Sequence, residues 1–590
     1  MHDFVITSKP NHSLRKLGLE LIFDRSGLQL WGEKEEFKRI NDLVIYIRGY
    51  VLPRHSILQS VKGCSEIELI ARLFNEHGQD FIHYLKGSFI ILLIANDEIK
   101  LYNDYQSLEK FFLLRTSKEL IISNNVLLIN KLHKLELNPL YPAIQALFQH
   151  SVAGITLFED LQYSEYATIL RLDHEAKLEK YWTPHHLINN NRDLYSIEDL
   201  IVFFREIIHD YLLFLKPLKV SLTLTGGRDT RSVLAALLSL NVVPHSFTFG
   251  NPKGTDVNTA WNICSSLELP FSNHYIGELT KNLYDNLVFD ILKFGNPLVN
   301  LHRAHRMDAI KKEHSESGQI EMLFVGAMGG DFIKGVSFND YIVTEFMRLY
   351  MFSNKDAESL IKEVLSKHNV KFDDELIYKL IGIINSLEYL DRHNFKKSEF
   401  LMAHNFIGAL HDTQDLFIFS QYADRVVAPF MDIDFFEALF QSRFSLFDNY
   451  RSSVNPVLKL KGGEFQASLI NSLYKPLAYL PMANRYKPID LLENQYLYFL
   501  KRVYLKIRHP KTKPTFSYDT WFKDFIEAAF STETDWLERF YDLEQLICGL
   551  NGTNHQTTEG YWHRYSNPVM VLRWINLIKS NFYAGSDIAK

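Results

Sequence analysis

Along the first 182 residues the apolar positions come in short runs, at 43–47, 89–94 and 120–123 among others, separated by polar turns. Runs this short and this close pair with their neighbours, so the pattern predicts antiparallel sheets with a few helices between them. From about residue 199 the period changes. A helical stretch at 201–215 precedes a β-branched run at 220–224, and helical spacing resumes through Val233, Leu234, Leu237 and Leu238. A second strand at 245–250 is followed by a helix at 256–267 with Ala260, Ile263 and Leu267 on one face. Strand alternating with helix predicts a parallel, doubly wound sheet, whose ligands sit outside the C-terminal ends of its strands. Beyond 340 the pattern is mostly helical and aromatic-rich. Residues 183–198 are polar and turn-rich and read as a linker. The expected organisation is an α+β domain over 1–182, that linker, and an α/β domain with a helical C-terminal part over 199–590.

Composition narrows the classes. The 590 residues carry a net charge of −6, which gives no general attraction to nucleic acid or anionic membrane. Cys64, Cys264 and Cys548 are far apart and odd in number, which fits a reducing compartment and neither a disulfide framework nor a zinc spacing. No secretory signal is visible at Met1-His2-Asp3-Phe4, and no apolar run reaches about eighteen residues. The expected location is the cytoplasm, with no membrane partner. The basic run from Lys501 to Lys513 reads as a solvated face rather than a nucleic-acid surface. The adjacent His185 and His186 point in different directions and read as surface turn residues.

The chemistry concentrates where strands end. Thr225-Gly226-Gly227-Arg228-Asp229-Thr230 lies between the 220–224 strand and the helix after it. Glycines there let a polyanion approach the backbone, while Thr225, Thr230 and the free N–H groups of the helix start donate to phosphate oxygens. The spacing is neither the Walker pattern nor the dinucleotide fingerprint. A second strand, at 321–325, ends in Gly326-Ala327-Met328-Gly329-Gly330-Asp331. Either loop alone could be a turn with an exposed acid. Together they predict Asp229 and Asp331 at one sheet edge, as a magnesium-bound triphosphate requires. Asp432, after Pro429-Phe430-Met431, reads as a helix cap. Lys487 reads as a solvated lysine or as a cation facing phosphate.

Several islands resemble the asparagine synthetase family. In the first half they are Gly49-Tyr50, Leu85-Lys86-Gly87-Ser88-Phe89, Leu101-Tyr102-Asn103-Asp104, and Gly154-Ile155-Thr156-Leu157-Phe158 with Tyr181-Trp182. The loop at Thr225–Thr230 is similar to the family's SGGxDS, with threonine at both hydroxyl positions. That at Gly326–Asp331 is similar to its GxGSDE, with Gly330 for serine and Phe332 for glutamate, a Gly-Gly-Asp variant like that of lasso-peptide cyclases. Pro429–Asp432 resembles PFLD. The resemblance implies an N-terminal-nucleophile-hydrolase-like sandwich, then a synthetase domain of the adenine-nucleotide α-hydrolase type. It implies ATP and Mg2+, with Thr225, Gly226, Gly227, Asp229, Thr230, Gly329, Gly330 and Asp331 around the nucleotide, Asp229 and Asp331 on the metal, and Lys487 as active-site lysine. The implied activity is adenylation of a small-molecule or peptide carboxylate, a precursor peptide included, and its coupling to an amine. The family's glutaminase uses a cysteine at position 2; here His2 stands there and the first cysteine is Cys64, so a thiolate attack on glutamine is not expected. Lactam or lasso-type ring closure, ammonia-dependent amidation of an aspartate or sugar acid, a pyrophosphate-loop enzyme acting on tRNA (hinted at only by the 501–513 basic run), and a non-catalytic nucleotide-binding member remain the open readings.

Overall fold

The computed structural model describes residues 3–583 except 26, 97, 173–175, 276–280, 335–342, 449–462, 509–518, 531–534 and 553–558. The first part is two six-stranded antiparallel sheets. One runs, in spatial order, through Leu161–Tyr163, Phe112–Arg115, Leu120–Ser123, Phe4–Thr7, Leu28–Gly32 and Glu20–Arg25. The other runs through Lys177–Lys180, Thr168–Leu172, Glu98–Asn103, Leu85–Ala95, Leu43–Pro53 and Lys38–Ile40. Phe4, Ile6 and Leu30 of the first sheet share a core with Tyr46, Ile90, Leu92 and Leu101 of the second, so the sheets pack face to face. Helix Glu66–His77 covers the outer face of the second sheet through Leu69, Ile70 and Leu73.

The central strands are longer than the short runs of the sequence imply. Leu43–Pro53 and Leu85–Ala95 each span eleven residues and pair from Val44↔Ile94 to Pro53↔Leu85. Gly49 and Gly87 let them do so. Both have positive φ (82° and 125°), and a Cβ would stand 2.1 Å from the carbonyl oxygen of Ser88 and 2.4 Å from that of Tyr50, respectively. Two of the sequence islands therefore face each other across one ladder.

The stretch read as a linker is packed: Pro184–Leu187 forms a 3₁₀ turn with Leu187 fully buried. His185 pairs with Glu388 (2.9 Å), while His186 Nδ1 donates to Thr183 O (2.9 Å), so the two rings have separate partners. Helix Ile197–Leu215 opens with a Ser196–Asp199 capping box and leads into the third sheet. That sheet is parallel, built from β1 (Val220–Thr223), β2 (His245–Phe249), β3 (Phe271–His274), β4 (Met322–Phe324) and β5 (Val426–Val427), in the order β3-β2-β1-β4-β5. The chain fills one side of β1 and then crosses to the other, so β1 and β4 flank the topological switch point. Beyond it the described residues are almost entirely helical, β5 apart. Among them no helix is long and apolar enough to cross a membrane.

The basic run is described as far as Arg508, within helix Gln495–Arg508; residues 509–513 lie outside the described residues. The helix is not a plainly solvated charged face, because Tyr496, Leu497, Leu500, Tyr504 and Ile507 are exposed among its cations.

The two halves meet through a buried charge cluster. Lys86 is 1% exposed, and its ammonium lies 3.3, 3.2 and 3.0 Å from carboxylate oxygens of Asp210, Asp432 and Asp434. Arg54 reaches Asp434 and Glu437, and Tyr50 donates to the carbonyl of Val426 on β5 (2.9 Å). Asp432 does cap helix Ile433–Phe440, accepting from the N–H of Asp434 and Phe435, while its other oxygen takes the Tyr211 hydroxyl (2.9 Å). Burial alone would raise both carboxyls. It does raise Asp432, but Lys86 and Arg54 hold Asp434 at about 2.

Candidate functional site

The two glycine loops leave neighbouring strands. β1 pairs with β4 in the register Leu222↔Phe324, and Asp229 and Asp331 each lie seven residues beyond those partners. Each aspartate opens a helix, Asp229–Ser239 and Asp331–Lys334. In the first, the earliest helical bond is from Ser232 N to Arg228 O, leaving the preceding N–H groups facing the crevice without an intrahelical partner. The loops touch. A Cβ on Gly326 would lie 2.6 Å from Thr230 N, and one on Gly329 would lie 3.1 Å from the Asp229 Cβ and 2.7 Å from the ring of Phe430. Glycine at both positions is what lets the second loop close on the first.

Within the first loop, Thr225 N donates to Thr230 Oγ1 (3.1 Å), the two hydroxyls are 3.2 Å apart, and Gly227 N donates to Thr225 Oγ1 (3.3 Å). The threonines thus hold the loop's shape as well as lining it. Gly226 is enclosed: its N–H donates to Asp256, its carbonyl accepts from Ala483 N, and a Cβ would lie 2.6 Å from the Ala483 Cβ. Gly227 is exposed, and a Cβ there would meet only Thr225 Oγ1 at 3.4 Å. Gly226→Ala should therefore destabilise the fold by about 1–3 kcal/mol through overpacking, whereas Gly227→Ala should leave the melting temperature within about a degree. Thermal melts of the two variants, read side by side, check this; equal losses would contradict the geometry.

Four side chains not singled out from the sequence belong to this site. Asp256, on helix Thr255–Ser266, accepts from Gly226 N. Gln466, fully buried on helix Glu464–Leu473, donates to the Asp229 carboxylate and to Gly329 O, and its own Oε1 has no hydrogen-bond partner. Arg228 packs against Gly463 and, in spite of burial, keeps the Tyr486 phenol below its ordinary range. Asp412 accepts from the backbone N–H of Met328, in the second loop, and lies 2.8 Å from His411 Nδ1. Burial, reinforced by Asp415, pushes its carboxyl up to about 7. Asp415 itself is held low by Arg303 and Arg306 against the effect of burial.

Phe332, at the position where the resemblance implies glutamate, is fully buried, with ring centroids 4.9 Å from Phe436 and 5.8 Å from Phe440. It anchors the second loop rather than facing the crevice. Gly330 and Asp331 are partly exposed beside it. Lys487 follows a turn, Met482 N to Tyr486 O, whose Ala483 bonds Gly226. Its backbone N–H is capped by Asp490 (2.8 Å), and among the described residues its ammonium makes no bond to either loop.

Among the described residues no cluster of three or more His, Cys, Asp or Glu could hold a metal. Asp229 and Asp331 supply two carboxylates, and the orphaned Gln466 Oε1 between the loops could accept from a metal-bound water, so the donor set fits a magnesium–phosphate group rather than a protein-caged ion.

What fold and site define is a mixed α/β chain: antiparallel sheets, then a parallel sheet with paired glycine loops at its switch point. No family pattern matches the chain, and no curated protein does. Among solved structures it is similar to glutamine phosphoribosylpyrophosphate amidotransferase from B. subtilis complexed with ADP and GMP, at 13% identity over 65% of this chain and 93% of that one, with a TM-score of 0.20. It is also similar to a structure of the allosteric regulatory enzyme of purine biosynthesis, at 12% identity over 62% and 72%, with the same TM-score. At such scores neither likeness carries an argument.

Proposed function

We propose that the chain is an ATP-dependent amide-forming enzyme of the asparagine synthetase type, whose N-terminal sandwich is a hydrolase-like domain without its own glutaminase chemistry. The observation that supports this most is the matched pair of loops, with Asp229 and Asp331 at equivalent distances beyond paired strand positions and Gly329 packed on Asp229. Gly227 offers an open backbone face to phosphate, the N-terminal N–H groups of helix Asp229–Ser239 point to the same place, and Arg228 adds a cation. Magnesium, held by Asp229 and Asp331, would neutralise charge on the departing pyrophosphate. The substrate carboxylate displaces pyrophosphate from the α-phosphorus of ATP; an amine then attacks the acyl carbon and AMP leaves. Lys487 is the candidate to meet the pyrophosphate.

Asp412 is the candidate base for the amine, since a carboxyl titrating near 7 can both accept and release a proton at cellular pH. The rate of amide formation should rise with pH through about 7, and Asp412→Asn should lower it at least ~100-fold and remove that limb, leaving pyrophosphate exchange nearly intact. A pH–rate profile of both proteins decides it; an unchanged limb in the variant places the base elsewhere. The amine belongs to the substrate in a lactam or lasso-type ligase, or is free ammonia in an amidation of an aspartate or sugar acid. The governing test is magnesium-dependent ATP–pyrophosphate exchange with pools of aspartate, sugar acids and peptide acids. Exchange with one pool names the acceptor class, and stimulation by glutamine would overturn the loss of glutaminase. A protein that binds ATP and exchanges with none of the acids would be a nucleotide-binding member instead.

A further inference from the structure

Away from both glycine loops, a cavity of about 260 Å³ opens between the N-terminal sandwich and the C-terminal helices. Lys110 forms part of its wall. This side chain is buried, and its ammonium donates to two carbonyls, those of Ser107 and Ala409, with no carboxylate within ion-pair distance among the described residues. The acids nearest to it are committed elsewhere. Asp104 accepts from the N–H groups of Gln106, Leu108 and Phe89, and Glu109 pairs with Arg48. Burial accordingly pushes the Lys110 ammonium down to about 8, only partly offset by those two acids.

A second donor faces the same space. Tyr389 is 4% exposed, and its hydroxyl has no hydrogen-bond partner. A buried cation and a buried hydroxyl, both with donor capacity left over, are costly unless an acceptor joins them. The wall opposite the sandwich is a run of π-helix, Met402–Asp412, which brings Asn405 and Ala409 to the cavity. Such turns are rare and concentrate at functional sites. Glu165 and Glu388 also line the space and are half-exposed, the first paired with Lys180 and the second with His185. Lys180 lines the space as well, so among the described residues Lys110 is the lining cation without a carboxylate of its own.

We propose that this cavity binds a small organic monocarboxylate, with its carboxylate on Lys110 and Tyr389 and its apolar part against Tyr163, Tyr166 and Leu387. A cavity of about 150 Å³ is enough for benzene, so this one takes a ligand of about ten non-hydrogen atoms. The site shares no residue with the glycine loops and does not depend on the nucleotide reading.

Isothermal titration of the full-length protein with benzoate, L-phenylalanine and inorganic phosphate tests it. At least one carboxylate should bind, with affinity at least tenfold weaker in Lys110→Met, several-fold weaker in Tyr389→Phe, and unchanged in Asp229→Ala. Tyr389→Phe removes one oxygen only and decides the matter if Lys110→Met does not fold. Absence of binding by both carboxylates, binding of phosphate alone, or affinity unchanged in Tyr389→Phe would each overturn the proposal.

Discussion

Asp229→Ala protein should fold as the parent does and lose magnesium-dependent ATP–pyrophosphate exchange by at least ~100-fold, the usual scale for removing one preorganised electrostatic partner. The fold should survive because Asp229 is partly exposed at a helix start, and the hydrogen bond it loses, from Gln466, is a single side-chain contact. The chemistry should not, because the other carboxylate at the end of β1, that of Asp256, is engaged by the N–H of Gly226. Asp331→Asn should show a loss of the same order, and Gln466→Ala a smaller one, since glutamine orients the carboxylate without replacing its charge. Exchange assays beside circular dichroism on each variant separate the two effects. Full exchange by the Asp229→Ala protein would mean that the paired loops do not hold the nucleotide.

Lys86→Met should be the most destabilising single substitution at the seam between the halves, by about 3–5 kcal/mol, because removing one partner from a buried ionic cluster leaves the others uncompensated. Three aspartates within 3.3 Å of that ammonium would remain; Asp434 keeps Arg54 and Asp210 keeps the His55 ring, while Asp432 has no other basic partner among the described residues. The pH dependence has a definite sign. Asp434 titrates in the folded protein at about 2, below its unfolded value of about 4. Its stabilising contribution is present above pH 4 and is lost as pH falls toward 2. Lys86, held above the ordinary lysine range by those carboxylates despite its burial, contributes below its unfolded pKa and loses that contribution only in strong alkali. The gap between parent and variant should therefore be widest between about pH 4 and 10 and should narrow in acid. Adding Asp432→Asn to Lys86→Met should recover part of the loss. Thermal melts across that pH range measure both; a flat difference would mean that the methionine effect is one of packing.

What could be read from the chain beforehand was local. A β-branched run closing on two glycines and an acid specifies strand, tight turn and helix start within a dozen residues, so Thr225 to Asp229 and Gly326 to Asp331 were visible at once. The alternation after residue 199 gave the parallel sheet for the same reason. Asp256, Gln466 and Asp412 were not visible because they sit on helices whose sequences show only amphipathic spacing; their roles come from strands and loops brought beside them by the fold. Arg228 lay inside the motif but in its variable position. Lys86 stood inside a quoted island, yet its partners are more than a hundred residues away, and no periodicity links 86, 210, 432 and 434. The ladder of Leu43–Pro53 with Leu85–Ala95 extends beyond the apolar runs at 43–47 and 89–94 because Gly49 and Gly87, which add no apolar side chain to the pattern, let the two backbones approach closely.

The seam has a bearing on how this protein can be dissected. Tyr50 braces the edge strand of the parallel sheet, while Lys86 and Arg54 supply cations to acids that belong to the second half. A fragment beginning near residue 183 would carry Asp210, Asp432 and Asp434 as an open wound of like charge, next to an uncapped sheet edge. Whatever reaction the first half does or does not perform, cutting it away takes part of the second half's foundations with it.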